Sequence, residues 1–156
     1  MTSVPRTGVA VSRHDETPLD GYVVEEQVGF LLRRAHQRHV AIFQDGMRCA
    51  ELTPTQFTAL VKAVELGRVT QNHLGRLAGM DPVTTQGVVR RLVGRGLLRL
   101  LRDPADRRMT VLVPTETGIR LIAQAVQCAR TITEATLAPL APGERAIFLS
   151  LLRKMI

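Results

Sequence analysis

Two strong helix starts lie close together near the middle of the chain, and they limit the possible fold more than any other feature. Thr70 can cap one helix, and Asp81 followed by Pro82 supplies a cap and a first helical position for the next. Gly79 between them can end the first helix, so only a tight turn joins the two. This spacing predicts a helix-turn-helix pair whose second helix runs to about Arg95.

The residues after this pair predict a β-hairpin. A glycine stop is followed by a strand near residues 97–102, a charged tip, and a second strand near residues 109–113. Upstream, "TPTQ" at 53–56 combines a cap, a proline and a capping-box glutamine, and Gly67 can end the helix that begins there. The expected fold class is therefore mainly α with a small β-hairpin wing, a winged helix-turn-helix.

Longer amphipathic patterns flank this unit. Apolar residues recur at helical spacing from about Tyr22 to Phe43, which predicts a long first helix. Gly46 is expected to end it. Apolar residues recur again over about 116–137, in a helix that Thr115 can cap, and a short amphipathic helix restarts at Pro142. Because these helices lie outside the compact winged helix, their apolar stripes need a partner, and a second copy of the chain can supply it.

Positive charge is concentrated in the winged helix. The chain carries a net charge of +7, and residues 68–108 hold nine arginines, no lysine and three aspartates, a net +6. Guanidinium groups bind phosphate and guanine in a fixed bidentate geometry, which favours a polyanion as the partner. Aromatic residues make up only 3% of the chain, so the stacking platforms of single-strand binders are not expected. A polyanion such as double-stranded DNA is therefore favoured over the alternative, a plain solvated face.

These patterns predict one domain with an extension. Residues 1–20 have no sustained period and are expected to form a flexible arm. Residues 21–156 are expected to form a single domain, with a DNA-binding lobe at 53–113. The helices within 21–48 and 115–156 are expected to form its dimerisation region.

Three stretches carry a family resemblance: "LTPTQFTAL", "QNHLGRLAGMDPVTTQGVVRRLVGRGLL" and "RDPADRRMTVLVPTETG". Through them the chain resembles the MarR family of bacterial transcription regulators over nearly all of residues 22–156. The resemblance implies a homodimer that binds a pseudo-palindromic operator, represses transcription, and releases DNA when a small aromatic acid binds. The stretch "DGYVVEEQVGFLLRRAHQRHVAIF" is similar to regulators of nicotinate and related N-heteroaromatic acid catabolism.

The second helix of the helix-turn-helix should enter the major groove with its N-terminus first. Gln86 suits a bidentate contact to adenine, Arg90 suits guanine or phosphate, and the methyl groups of Thr84 and Thr85 could meet thymine, unless these two threonines are plain helix surface. At the positive start of the preceding helix, side chains can donate to a phosphate. The full set of expected DNA contacts outside the wing is Gln71, Asn72, Val83, Thr84, Thr85, Gln86, Arg90 and Arg91.

The hairpin tip "RDPADRRMTV" is expected to reach a minor groove, where the negative potential favours an arginine. Asp103 or Asp106 can hold one of the paired arginines by a charge-assisted hydrogen bond and leave the other for DNA. The resemblance implies this division of tasks. We assign Arg107 to the groove and Arg108 to the braced position.

An effector site is expected between the dimer helices and the winged helix. A donor beside an apolar wall suits a planar carboxylate, although a histidine on a helix is more often packed or solvent-facing. The candidate residues are Arg34, His36, Arg38, His39, Cys49 and Phe57.

Other functions fit the sequence less well. His36 and His39 could share a metal, but zinc normally needs three or four protein ligands, so no metal or other cofactor is expected. Phosphate-cradling, nucleophile-elbow and HExxH motifs are missing, which argues against an enzyme and against any catalytic residue. A redox-sensing regulator acting through Cys49 and a non-specific basic nucleic-acid-binding protein remain as alternatives. Neither a signal peptide nor a bilayer-spanning run is evident, which predicts a cytoplasmic protein without a membrane partner.

Overall fold

The computed structural model of the protein describes residues 21–106 and 108–156. The expected flexible arm at residues 1–20 and the wing residue Arg107 lie outside this part. The elements follow the order α1 (Val28–Gly46), α2 (Pro54–Leu66), α3 (Gln71–Leu77), α4 (Pro82–Gly94), β1 (Leu98–Arg102), β2 (Thr110–Pro114), α5 (Glu116–Leu137) and α6 (Pro142–Arg153). The expected fold class, mainly α with a β-hairpin wing, is confirmed.

The helix starts read from the sequence are confirmed by hydrogen bonds. The Thr53 hydroxyl accepts from the backbone N–H of Gln56, and the Gln56 side chain accepts from the backbone N–H of Thr53, which closes the capping box. Thr70 and Thr115 cap α3 and α5 through their hydroxyl groups in the same way. Gly67 ends α2 with φ of 67°, a left-handed conformation that glycine adopts at little cost.

The chain divides into two compact units, and the boundary follows Arg34 within α1. In the first unit, residues Val24–Glu26 form one turn of 3₁₀ helix rather than α-helix. Gln27 then adopts an extended backbone, with φ of −77° and ψ of 138°, and this interrupts helical hydrogen bonding. The expected start of the first helix near Tyr22 is therefore wrong, because α1 begins only at Val28.

In the second unit, the winged helix has a single apolar core. Each of its five central elements contributes one leucine with an exposed fraction of 1% or less, and these are Leu60, Leu74, Leu92, Leu98 and Leu112. Leu77 on α3 has apolar helical spacing from Leu74, yet 42% of it is exposed. Helix α3 has only two turns, and the face that meets the core is centred on Leu74 and Gly75. Helices α2, α3 and α4 and the two strands therefore share one core.

The wing is an antiparallel pair in which Leu98 lies opposite Pro114 and Arg102 opposite Thr110. Val69, in the loop after α2, adds a further antiparallel bridge to Leu112, with N to O distances of 3.1 and 2.7 Å. This bridge attaches the hairpin to the helices.

Helices α5 and α6 follow the wing with their expected starts. Glu144 accepts from the backbone N–H of Ala141 at 2.7 Å at the start of α6, and Arg145 pairs with Glu134 of α5 at 2.8 Å. These contacts fix the short connection between the two helices. Among the described helices, none combines the length and the apolar character needed to cross a membrane.

Candidate functional site

Helix α4 begins at a strong N-cap. The Asp81 carboxylate accepts from the backbone N–H of Thr84 at 2.9 Å and from its hydroxyl at 2.5 Å. These hydrogen bonds, above all the one from the Thr84 side chain, lower the pKa of Asp81. Since the charged carboxylate is the form that caps the helix, the cap is complete at neutral pH and weakens as the pH falls through that lowered pKa.

One face of α4 is buried and the other is exposed. Its buried residues follow helical spacing and are Thr85, Val88, Val89 and Leu92. The exposed residues on the opposite side are Val83, Thr84, Gln86, Arg90 and Arg91, all expected from the sequence to contact DNA. Val83 is 80% exposed, although it is apolar. The structure therefore brings methyl, amide and guanidinium groups together on one accessible surface.

Thr85 does not lie on this surface. Only 2% of it is exposed, and its hydroxyl donates to the backbone carbonyl of Asp81 at 2.7 Å. Its side chain packs on Gly75 of α3, where a Cβ atom would come within 2.5 Å of the Thr85 hydroxyl. Both sequence interpretations of Thr85, as a thymine contact and as plain helix surface, are therefore wrong. Thr85 and Gly75 instead allow α3 and α4 to approach closely.

Helix α3 presents a second polar surface beside α4. Asn72 is exposed, while Gln71 is half-buried. Asn72 and Arg76 lie one turn apart and line an open cleft of about 430 Å³ between α3 and α4. Arg76 was missing from the predicted site residues, although its i, i+4 spacing from Asn72 was visible in the sequence.

The wing tip is organised by its two aspartates. The Asp103 side chain accepts from the backbone N–H of Ala105, and the Asp106 side chain accepts from the backbone N–H of Arg108, both at 2.9 Å. Asp103 also lies 3.9 Å from the guanidinium of Arg68, outside the wing. Within the described residues, the Arg108 guanidinium pairs with neither aspartate. The expected bracing of Arg108 is therefore wrong for its side chain, because the aspartates hold the backbone of the turn.

A separate cavity of about 210 Å³ lies between α1, α2 and α5. Two residues expected at an effector site, His39 and Phe57, line it. The ring of Phe43 lies between theirs, with edge-to-face centroid distances of 6.1 Å to His39 and 5.9 Å to Phe57. The remaining lining residues are Pro54, Thr58, Ala129, Ile132 and Thr133. The cavity thus joins an aromatic and apolar wall to a few polar groups.

The hydrogen bonds of His39 determine what its ring can offer. The Thr136 hydroxyl lies 2.8 Å from the carbonyl of Ile132 and 3.0 Å from His39 Nδ1; when it donates its single hydrogen to Ile132, it accepts from the ring Nδ1–H. Burial, and then the charge of His36, lower the pKa of His39. The neutral ring consequently carries its lone pair on Nε2, and protonation would turn Nε2 into a donor.

Arg34, His36 and Arg38 were also expected at the effector site. Arg38 donates to the backbone carbonyls of Ala135 and Thr136, at 3.0 and 2.7 Å, which occupies its guanidinium at the end of α5. His36 is exposed, and Arg34 is exposed within the first unit. Neither His36 nor Arg38, which share the second unit with the cavity, lines it.

Cys49 is also absent from the cavity lining. It lies in the turn after α1, where its sulfur contacts that of Cys128 on α5 at 3.2 Å. The two cysteines stand 79 positions apart in the chain, so no local pattern could have predicted the pair.

Sequence reasoning missed several other residues of the cavity. Thr58 and Thr133 donate their hydroxyl hydrogens to Pro54 and Ala129 of their own helices, which leaves the hydroxyl oxygens able to accept. Thr133 belongs to α5, far along the chain from α1 and α2, and no sequence signal joins these helices. Across residues 21–106 and 108–156, no three His, Cys, Asp or Glu side chains cluster as metal ligands would.

Comparisons with known proteins agree with this geometry. Residues 52–110 match the model of the MarR family. The transcriptional repressor NicR of Pseudomonas putida is 44% identical over 142 residues, covering 91% of this chain and 88% of NicR.

Two solved structures share the fold over most of their length. BpsR of Bordetella bronchiseptica, whose DNA binding is regulated by 6-hydroxynicotinic acid, is 42% identical, with a TM-score of 0.81 over 86% of this chain and 96% of BpsR. The repressor CouR, solved on a 23-mer DNA duplex, is 27% identical, with a TM-score of 0.77 over 84% of this chain and 93% of CouR. NicR is similar to this chain over nine-tenths of its residues, and α4 and the wing form the DNA-binding unit that the family model describes. This chain therefore belongs to the MarR family of transcription regulators.

Proposed function

We propose that this regulator binds a pseudo-palindromic operator as a homodimer, represses the genes beside it, and is released by a small planar aromatic acid. The observation that carries the proposal is the exposed face of α4, which presents Val83, Gln86 and Arg90 beside the cleft between α3 and α4 and near a wing. A face of this kind matches the major groove in width and in hydrogen-bonding pattern. Because such DNA is cytoplasmic in bacteria, we infer a cytoplasmic protein.

Each exposed group on this surface suits a particular part of the duplex. Gln86 is matched to adenine, Arg90 to guanine or phosphate, and the methyl groups of Val83 and Thr84 to thymine. The Thr84 hydroxyl is occupied by Asp81, which leaves its methyl group for DNA. The remaining expected contacts are to backbone phosphates, from Gln71, Asn72, Arg76, Arg91 and Arg108.

Exposed apolar side chains support a homodimer. In the first unit, α1 leaves Val28, Leu31 and Leu32 between 43 and 65% exposed. In the second unit, α6 leaves Ile147, Phe148 and Leu151 between 39 and 63% exposed. Apolar residues grouped on one helix face in this way mark an association surface. A second copy, related by a two-fold axis, would also place two recognition helices on a palindrome.

The cavity beside His39 suits the effector in size and chemistry. Its volume of about 210 Å³ lies below the ~300–1,000 Å³ of sites for drug-sized ligands, which favours a single-ring compound. Phe43 and Phe57 offer edges and faces to a planar ring. Since 6-hydroxynicotinic acid regulates the DNA binding of BpsR, we propose an N-heteroaromatic hydroxy acid as the effector here.

Operator selection tests this function directly. The purified protein should select a pseudo-palindromic duplex from a random library and bind it as a dimer. Its affinity should fall about 1,000-fold or more between 50 and 200 mM salt, as expected when arginines displace counterions from several phosphates. Fluorescence anisotropy gives the affinity, and light scattering gives the mass of the complex.

Competition with random duplex distinguishes this function from non-specific nucleic-acid binding. Equal affinity for both duplexes, or a flat salt dependence, would contradict the proposal. Adding 6-hydroxynicotinate, with benzoate as a comparison, should release the selected duplex. If no aromatic acid releases it, the effector part of the proposal fails and the DNA-binding part stands.

The affinity for the effector is expected to depend on pH through His39. The lowered pKa makes the ring neutral near neutral pH, so a bound carboxylate would favour proton uptake at Nε2. Binding of 6-hydroxynicotinate should therefore tighten as the pH falls from about 8 to about 6, by at most about tenfold per unit for one proton. Calorimetry in buffers of different ionisation enthalpy measures this proton uptake.

The variant His39→Gln should bind the effector weakly and lose this pH dependence. The matched control is His36→Gln, which removes a neighbouring imidazole and keeps the ring that lines the cavity. Affinity that is constant with pH in the unmodified protein would show that neutral His39 accepts a hydrogen bond from the ligand instead.

A further inference from the structure

Two cysteines from distant parts of the chain lie in contact outside the effector cavity and the DNA-binding surface. Cys49 is exposed in the α1–α2 turn, residues 47–53, and Cys128 is half-buried on α5. Their sulfur atoms are 3.2 Å apart. Both are free thiols, and they are the only two cysteines of the sequence. Each thiol therefore has a second thiol within reach, as disulfide formation requires.

We propose that Cys49 and Cys128 form a reversible intrachain disulfide when the protein meets a hydroperoxide, and that this disulfide weakens DNA binding. The Cys49 thiolate attacks the peroxide O–O bond and becomes a sulfenic acid, while the peroxide leaves as an alcohol or as water. The Cys128 thiol then gives up its proton as it attacks the Cys49 sulfur, and the hydroxide that leaves takes a proton to become water. Two thiols are oxidised to one disulfide, and one hydroperoxide is reduced.

Exposure and local structure assign the order of the two cysteines. Cys49 is the more accessible sulfur, so it is the one that a peroxide meets first. The hydrogen bond to Cys49, together with partial burial, raises the pKa of the Cys128 thiol. Cys128 is therefore kept protonated and held in place as the second, resolving thiol.

Only a small movement separates the contact from a bond. A disulfide requires the sulfur atoms to close from 3.2 Å to about 2.05 Å, a shift of about 1 Å. Cys49 lies in a turn, which can move more easily than helix α5. The same turn contains Glu51 at φ of 49°, the single non-glycine residue with positive φ among those described. Such a conformation persists only where surrounding contacts hold it.

The contact that holds this turn comes from the end of the recognition helix. The guanidinium of Arg95, directly after α4, donates to the backbone carbonyls of Ala50 at 3.0 Å and Glu51 at 2.7 Å. When Cys49 moves toward α5, these neighbouring carbonyls move with it. Arg95 must then either lose its hydrogen bonds or draw the end of α4 with the turn. Because α4 reads the operator as a rigid element, either outcome lowers its fit to the groove.

Oxidation of the purified, reduced protein tests the proposal. Hydrogen peroxide should remove both thiols per chain, lower the intact mass by two hydrogen atoms, and produce one peptide that links Cys49 to Cys128. On a non-reducing gel the chain should keep its single-chain size. The affinity for the selected operator should fall at least about tenfold, which corresponds to about 1.4 kcal/mol. Dithiothreitol should restore it.

The variants Cys49→Ser and Cys128→Ser are the matched controls, since each should bind DNA equally well before and after peroxide. Persistent thiols, sulfinic acid at Cys49, or a cross-link between chains would overturn the disulfide. An intrachain disulfide that leaves DNA affinity unchanged would overturn the regulatory part, which rests on the proposed operator binding. If the reduced protein bound no duplex, operator binding itself would fail, and the thiol count would still decide whether the disulfide forms.

Discussion

The variant Arg107→Ala is expected to weaken operator binding by about 100-fold while leaving the thermal midpoint nearly unchanged. A hydrogen bond that involves a charged group contributes about 1.5–3 kcal/mol, and a homodimer would lose one in each half-site. Two such losses amount to at least about 3 kcal/mol, or about 100-fold in affinity. Anisotropy titration of the selected duplex measures the effect at constant salt.

Arg108→Ala is the matched control for this variant. The backbone N–H of Arg108 is bonded to Asp106, and this contact survives the substitution because it uses no side-chain atom of Arg108. Its exposed guanidinium is expected to contact phosphate, so the loss should stay within about tenfold and the salt slope should flatten slightly. A larger loss for Arg108→Ala than for Arg107→Ala would show that the two arginines exchange tasks.

The variant Gly118→Ala is expected to lower the free energy of unfolding by about 3 kcal/mol, the upper end of the usual cost of overpacking. A Cβ atom at this position would overlap the backbone carbonyl oxygen of Leu97. That carbonyl accepts from the backbone N–H of Thr115 at 3.1 Å, at the junction between the wing and α5. Because backbone must move to make room, this junction cannot relax without cost. Urea unfolding at one fixed protein concentration measures the change, since a dimer's stability depends on concentration.

Gly87→Ala is the control for the glycine effect itself. Gly87 lies in the middle of α4, and a Cβ atom there would meet nothing within 4 Å. The substitution should raise stability by about 0.5–1 kcal/mol, because alanine favours a helix over glycine. If Gly118→Ala were as stable as the unmodified protein, the close approach between α5 and Leu97 would be wrong.

Helix starts were predictable because their causes are local. A cap requires only a side-chain oxygen a few residues before an unpaired N–H, as at Thr53, Thr70, Asp81 and Thr115. The exposed face of α4 followed from the same local periodicity. The first helix was misjudged at its start, because the extended backbone at Gln27 has no marker as strong as proline or glycine.

Contacts between distant elements could not be read in this way. Thr85 is polar and was expected near the surface, yet the close crossing over Gly75 buries it. The chain brings Arg68 to Asp103 from another loop, and no local pattern indicated this ion pair. His39 and Phe57 were identified as candidates, whereas their partners on α5 were not.

By itself, then, the sequence determined the order and the caps of the helices, the wing, the basic segment and the resemblance to a regulator family. All of these depend on residues that are neighbours along the chain. Only the tertiary structure decided that Thr85 is buried, which groups hold the wing turn, which residues surround His39, and that Cys49 contacts Cys128. These depend on packing, which places residues within a few ångströms regardless of their separation in the chain.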